Sequence, residues 1–439
     1  MTMQMHLKPL RPALLAGEDN SVFVLAQIQA PASDNDRTST SLNLGICLDR
    51  SGSMRGRPLM EAIKCATMII DRLRSEDQVS IACFDHESML IAEAQSASNK
   101  EMLKDSCRVI EARGSTNLFA GWRTSALDLR SITRENAMSR VLLLSDGQAN
   151  SGRTDVGDIT SRVSTMASLG VTTSTYGLGH RFDEHLMVAI AEAGNGQSYF
   201  GQTADDLLDP FEQEFELLLA LYARSLVFNA DVPEGIGLEM INRYSGNRHR
   251  GWMLPDLASE SEAWAVIELT VPANLSGSGQ GELIQILDQA EIEYRDQNGL
   301  SCSIQTEALS LPSLDADGFS VIPESEETVA RIQELTASRL YYEASQFARV
   351  GNWYSVDEIL LVAEQQASSN PWLASIMVKM KELANQRNRD LFAKESRYAS
   401  ERMDKRLTMH NESIEFLNDE SEKAMFLRKK SMQGKNFKE

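Results

Sequence analysis

At 439 residues, the chain exceeds one ordinary hydrophobic core, so two or three domains are expected. Its 42% hydrophobic and 24% charged residues are the composition of a soluble globular protein. A formal net charge of -20 argues against nonspecific binding to nucleic acid or to an anionic membrane, since both surfaces would repel it.

The opening stretch, MTMQMHLKPLRPALLAGEDN, carries basic residues but no sustained apolar run, and no signal peptide is expected. Nowhere do about 18 apolar residues follow one another, so membrane insertion is not expected either. Cys47, Cys65, Cys83, Cys107 and Cys302 form no CxxC pair. Four of them fall in apolar stretches, as small buried hydrophobes do, and this usage suits a reducing, cytoplasmic compartment.

Along the chain, Ser21 to Ala30 (SVFVLAQIQA) is strand-like. From 42 to about 222, short apolar runs alternate with amphipathic helical stretches, the pattern of a mostly parallel α/β sheet. The expected strands are Leu42 to Leu48, Val79 to Phe84, Val141 to Leu144 and Val171 to Tyr176. Leu59, Ile63, Ala66, Ile70 and Leu73 recur at helical spacing after the first. Further helices start near Lys100, Leu118, Val156 and Asp183, and one more runs from about Asp205 to Tyr222. Segments 224–231, 237–244, 261–271, 282–296 and 301–311 then read as an antiparallel β-sandwich. Ser21 to Ala30 is expected to pair into that sandwich, which makes the α/β domain an insertion.

From Glu324 the chain turns helical. A hairpin broken at Gly351-Asn352 resembles a single tetratricopeptide-like pair, which is no repeat array. A third helix is expected from Pro371 to around Tyr398. The polar end, with Arg428-Lys429-Lys430, reads as a weakly ordered tail. The expected division is 1–36 for the first strand of the sandwich, 37–223 for the α/β domain, 224–323 for the rest of the sandwich and 324–439 for the helical region and tail.

Three separated pieces converge on one chemistry. Asp49-Arg50-Ser51-Gly52-Ser53 follows the first buried strand, Gly114-Ser115-Thr116-Asn117-Leu118 lies between two helices, and Leu144-Ser145-Asp146-Gly147 ends another apolar strand. In an open parallel sheet, ligands bind beyond the carboxyl ends of strands at a topological switch point. Residues roughly 100 positions apart can therefore share one site. Three hydroxyls and two carboxylates are hard oxygen donors suited to Mg²⁺ or Mn²⁺, with Ca²⁺ a further candidate. The set holds no His or Cys, which disfavours zinc. An ion so held stays electron-poor and attracts one more anionic oxygen, which an acidic side chain of a partner protein supplies.

Asp49-x-Ser51-x-Ser53 with Thr116 and Asp146 resembles the DxSxS…T…D pattern of von Willebrand factor type A (VWA) domains. GSTNLFAGW at 114–122, LLLSDGQANSG at 142–152 and TYGLGHRFDEHLMVAIAEAGNGQSYF at 175–200 are similar to the same family. The resemblance covers 42 to about 222. The flanking regions look more loosely like bacterial members related to inter-alpha-inhibitor heavy chains and to calcium-activated chloride channel homologues. It implies a Rossmann-like, doubly wound VWA domain with a metal-ion-dependent adhesion site. In that site Asp49, Ser51, Ser53 and Thr116 are metal ligands, and Asp146 binds directly or through water. It also implies coupling between the ion and the domain's last helix, here about 205–222.

Other polar features carry less. Arg50, Arg55 and Arg57 flank the metal loop and are candidates to steer an acidic partner, or else solvated surface. His180 and His185 are five apart and miss the spacing of a helical metal pair. Asp85-His86-Glu87 reads as a hairpin turn. Trp122 is placed either at the rim of the site or in the core.

The expected function is metal-dependent protein binding on a scaffold, with a partner that presents Asp or Glu. An adaptor subunit for an AAA+ ATPase, a role some relatives play, is the alternative. A metal-dependent hydrolase is weaker, because the set offers no histidine, lysine or glutamate as general base, and no P-loop, GxSxG or HExxH is present. The chain is not expected to be an enzyme.

Overall fold

The structure, a computed structural model, describes residues 2–31, 41–133, 137–146, 149–178, 183–201, 214–215, 218, 220–247, 249, 251–296, 299–367, 370–404 and 408–409. It divides into two compact units. One comprises Asp36–Leu221 and Gln297–Leu300, the other Met1–Asn35, Tyr222–Asp296 and Ser301–Glu439.

The first unit is built on a six-stranded sheet in the order Ser88–Ser96, Gln78–Phe84, Ser41–Asp49, Ala137–Ser145, Val171–Leu178, Ser198–Gly201. All neighbours are parallel except the edge pair of Ser88–Ser96 with Gln78–Phe84. Ser41–Asp49 is buried from Leu42 onward, which explains its near-continuous apolar reading: a central parallel strand is covered on both faces. One face packs against the helices Arg57–Arg72 and Lys100–Arg108 through Leu59, Ala66, Ile70 and Leu103. The other packs against Leu118–Ile132, Val156–Ser168 and Glu184–Ala193 through Trp122, Leu129, Val163 and Ile190. The sheet is therefore doubly wound.

Helix starts follow side-chain capping. Asn99, Asn117, Asp155 and Asp183 each accept the amide three residues on, which satisfies a donor the helix itself cannot. Gly121 lets its helix lie close on the sheet, since a Cβ there would stand 2.2 Å from the Phe84 ring.

Two elements escape the apolar pattern: the edge strand Ser88–Ser96, mostly half-exposed, and Ser198–Gly201, only four residues long. Most of the helix expected over 205–222 lies outside the described residues. Its expected end at Tyr222 is corrected, because the strand Leu221–Asp231 already includes that residue.

In the second unit the expected N-terminal pairing is present. Asn20–Gln29 lies antiparallel between Gln4–Pro9 and Ser261–Val271, with Gly237–Met240 completing the row. A second sheet runs Gly246–Asn247, Gly251–Met253, Leu221–Asp231, Gln289–Asp296, Ser301–Gln305. Inward residues of both, among them Val24, Ile28, Ala265, Phe228 and Ile292, form one core, as a sandwich requires. The expected segment 282–296 is two strands, Gln280–Leu287 and Gln289–Asp296, and 301–311 likewise divides into Ser301–Gln305 and Leu309–Leu314.

The outer face of the first sheet is also covered. Leu25, Trp264 and Val266 pack against Leu335 of the helix Glu326–Arg349, which is why Ser261–Val271 is buried along nearly its whole length. Arg331 of that helix reaches Glu262 at 3.2 Å and Glu334 at 2.9 Å, and lies 4.6 Å over the Trp264 ring.

The helical hairpin is Glu326–Arg349 and Trp353–Ala367. The expected third helix is corrected to two, Pro371–Asn385 and Arg389–Asp404. The break at 386–388 has no Gly or Pro to announce it. Arg387 takes φ 50° and is held by Asp357 at 2.8 Å and by the face of Trp353. The turn lets Arg389–Asp404 pack back on Glu326–Arg349. The tail read as weakly ordered lies, from residue 410 on, outside the described residues. Among the described residues no helix is long and apolar enough to cross a membrane. Cys47, Cys65, Cys83 and Cys107 are buried free thiols and Cys302 is half-buried.

Candidate metal centre

From Ser41–Asp49 the chain crosses first to Gln78–Phe84 on one side and later to Ala137–Ser145 on the other. The carboxyl ends of Ser41–Asp49 and Ala137–Ser145 therefore flank a switch point. Leu48 pairs with Leu144, which sets Asp49 beside Ser145 and puts Asp146 one residue beyond.

The site is bonded together from these ends. Asp49 is fully buried; its Oδ1 accepts the Ser51 amide at 2.8 Å and its Oδ2 accepts the Ser145 hydroxyl at 2.5 Å. Ser51 Oγ stands 3.0 Å from Ser53 Oγ, and Ser53 Oγ donates to Asp146 Oδ1 at 2.9 Å.

The loop Arg113-Gly114-Ser115-Thr116 is pinned on both sides. The Gly52 amide donates to Gly114 O at 2.9 Å and the Arg113 amide to Arg50 O at 2.8 Å. On the far side the Thr116 amide donates to Asn150 Oδ1 at 2.9 Å, and its carbonyl accepts the amides of Asn150 and Ser151. Thr116 is 2% exposed. The three sequence pieces thus meet at one end of the sheet.

Burial is the largest influence on both carboxylates. It pushes Asp49 up to about 6, against the pull of Ser145 and Ser51, and the charge of Asp146 adds to the rise. Burial likewise raises Asp146, opposed by its bond from Ser53. Two carboxylates taken out of water without a cation beside them are unfavourable, and a divalent ion relieves that cost. The donors fit one. All are oxygens, and successive ones lie 3.0 and 2.9 Å apart. Adjacent ligands of an octahedral ion at Mg²⁺ distances stand about 2.9 Å apart. The two hydroxyls of that row can turn their protons outward and their lone pairs to a cation.

Among the neighbouring residues one expectation is corrected and the alternatives left open at others are decided. Arg50 is no steering group: it is 8% exposed, and its Nε lies 2.8 Å from Asp85 Oδ2. Arg55 and Arg57 are exposed, Arg57 lying 3.5 Å from Glu61. Trp122 is core, 2% exposed, with its indole N–H donating to Thr173 Oγ1 at 3.0 Å. His185 is exposed on its helix, and His180 lies outside the described residues.

Asp85-His86-Glu87 does turn a hairpin, with the Asp85 amide donating to Glu87 O. Asp85 itself is more than a turn residue, being fully buried among cations. Sequence reasoning missed this and Ser145. The signal was register: Asp49 pairs with Phe84, so the next residues, Arg50 and Asp85, emerge side by side with opposite charges.

Comparison with known proteins agrees with the fold of the α/β domain. Residues 43–213 match the family model of the von Willebrand factor type A domain. An uncharacterized protein of Synechocystis is 27% identical over 334 residues, covering 70% of this chain and 75% of its own length. Inter-alpha-trypsin inhibitor heavy chain H4 of Sus scrofa is 30% identical over 147 residues, which is 32% of this chain and 16% of that protein. A von Willebrand factor type A structure from Catenulispora acidiphila superposes with a TM-score of 0.71 at 14% identity, covering 91% of this chain and 96% of the other. That likeness is one of fold.

Proposed function

We infer, from a chain that carries a von Willebrand factor type A domain over residues 43–213, that it binds a protein partner through a divalent ion held by Asp49, Ser51, Ser53, Thr116 and Asp146. Domains of this family generally mediate metal-dependent protein interactions. The observation that carries the reading is the oxygen row of Ser51, Ser53 and Asp146, spaced at 3.0 and 2.9 Å above the buried Asp49. Mg²⁺ or Mn²⁺ suits that row. When bound, the ion supplies a Lewis-acidic position for an Asp or Glu carboxylate of the partner.

This chain's own residues do the holding. Asp49 and Asp146 supply negative charge. Ser51, Ser53 and Thr116 supply neutral oxygens, which leaves the ion attractive to a further anion. The reading includes no catalysis, because these five donors contain no imidazole or amine to move a proton. The free thiols favour a reducing compartment.

The test is capture of partners on the full chain with Mg²⁺ and with EDTA, beside an Asp49→Ala chain. Partners retained equally in all three experiments would overturn the reading.

A further inference from the structure

We propose that Asp85 is a positioning residue for the ion: its buried carboxylate fastens the Asp49–Ser53 loop to the Thr116 loop and so sets the separation between the two groups of donors. The proposal rests on the reading that these loops hold a divalent ion.

Asp85 follows the strand Gln78–Phe84 and supplies no donor to the oxygen row. Its carboxylate nevertheless meets one group from each metal loop and two from its own turn. Oδ2 lies 2.8 Å from Arg50 Nε, directly after Asp49, and accepts Arg113 Nε at 2.9 Å, three residues before Thr116. Oδ1 lies 2.8 Å from His86 Nδ1 and accepts the Glu87 amide at 2.9 Å. The backbone repeats the linkage: the Asn117 amide donates to Asp85 O at 2.7 Å, and Arg113 N to Arg50 O at 2.8 Å.

One carboxylate between two guanidiniums is held by both charges, and its charge-assisted bond from Arg113 is stronger than a neutral one. Arg50, being buried, would be left as an uncompensated charge without it. His86 extends the brace to Gly114, where a Cβ would meet His86 Nδ1 at 2.5 Å and φ is 71°. Gly114 in turn accepts the Gly52 amide between Ser51 and Ser53. The brace therefore reaches the donors on both sides without touching the ion.

The experiment uses the full chain as wild type, Asp85→Asn, Thr116→Ala and the double variant. Mn²⁺ binding is followed by electron paramagnetic resonance, and hydrogen exchange is measured on the ion-free protein. Asp85→Asn should weaken Mn²⁺ binding about tenfold or more, the usual range for a residue that orients ligands. It should also speed exchange at the Arg113 and Asn117 amides. Because it acts through the Thr116 loop, it should cost little further affinity in the Thr116→Ala background.

Arg113→Gln, at an exposed residue, breaks half of the brace without stranding a buried charge and should weaken binding in the same direction. It stands in if Asp85→Asn does not fold. Mn²⁺ binding unchanged in the folded variants, or losses that add fully in the double variant, would overturn the positioning role. Wild type that takes up no Mn²⁺ would overturn the ion reading itself, and this role with it.

Discussion

The Ser53 hydroxyl donates to Asp146 Oδ1 at 2.9 Å across 93 residues of chain, and this bond closes the oxygen row between two strand-end loops. Below that row Asp49 is raised to about 6, chiefly by burial. If Asp49 holds the proposed ion, a proton competes with that ion for it. Mg²⁺ affinity should hold above about pH 6 and fall roughly tenfold per unit below it. Calorimetric titrations at about pH 5 and pH 7.5 check this, and equal affinities would refute it.

The same shift makes a stability prediction. A carboxyl whose folded value is raised favours the fold below its unfolded value, near 3.8, and loses that contribution as pH rises through about 6. In ion-free protein near pH 7.5, the ionised Asp49 therefore costs on the order of 3 kcal/mol. Asp49→Asn should melt higher than wild type without Mg²⁺, and should lose the stabilisation that Mg²⁺ gives wild type. Thermal unfolding with and without Mg²⁺ reads both effects.

Thr116 is held by its backbone, through Asn150 and Ser151, so its hydroxyl can be removed with little effect on the fold. Thr116→Ala should abolish metal-dependent partner capture while shifting stability by about 1 kcal/mol. Thr116→Ser should retain capture. Failure of Thr116→Ser alongside Thr116→Ala would mean that the loop's shape, not its oxygen, is what matters.

Glu214 lies against the sheet as a buried anion, 2.8 Å from Arg140 Nη1, and also accepts the hydroxyls of Ser174 and Tyr176. Removing one charge of such a pair costs about 3–5 kcal/mol. Glu214→Gln should lose that much in denaturant unfolding. Pairing it with Arg140→Met should recover most of it. A Glu214→Gln chain as stable as wild type would show that the pair contributes little.

Asn20–Gln29 is an interior strand, paired over ten positions with Ser261–Val271. Deleting residues 1–31 should leave one edge of Ser261–Val271 unpaired and uncover the core residues that Val24 and Ile28 pack against. Aggregation or loss of cooperative unfolding is expected, as read by light scattering and calorimetry. A deletion that unfolds like the full chain would be the contrary result.

The proposed donors could be picked out of the sequence because each lies next to a strongly local signal: a buried apolar run before Asp49 and Asp146, and a capped helix after Thr116. The same locality made Asn20–Gln29 and the alternation of strands and helices in the α/β domain readable, since period and apolar content are properties of short windows. Tertiary structure alone decided the rest. Arg50 reads as a surface cation until register sets it beside Asp85. The turn at Arg387 has no Gly or Pro to mark it, and is held by Asp357, 30 residues earlier. Ser261–Val271 is covered on its outer face by a helix that begins 55 residues after it ends. A buried charge or an unusual turn is stable only through the partner that folding brings to it, and that partner lies outside any local window.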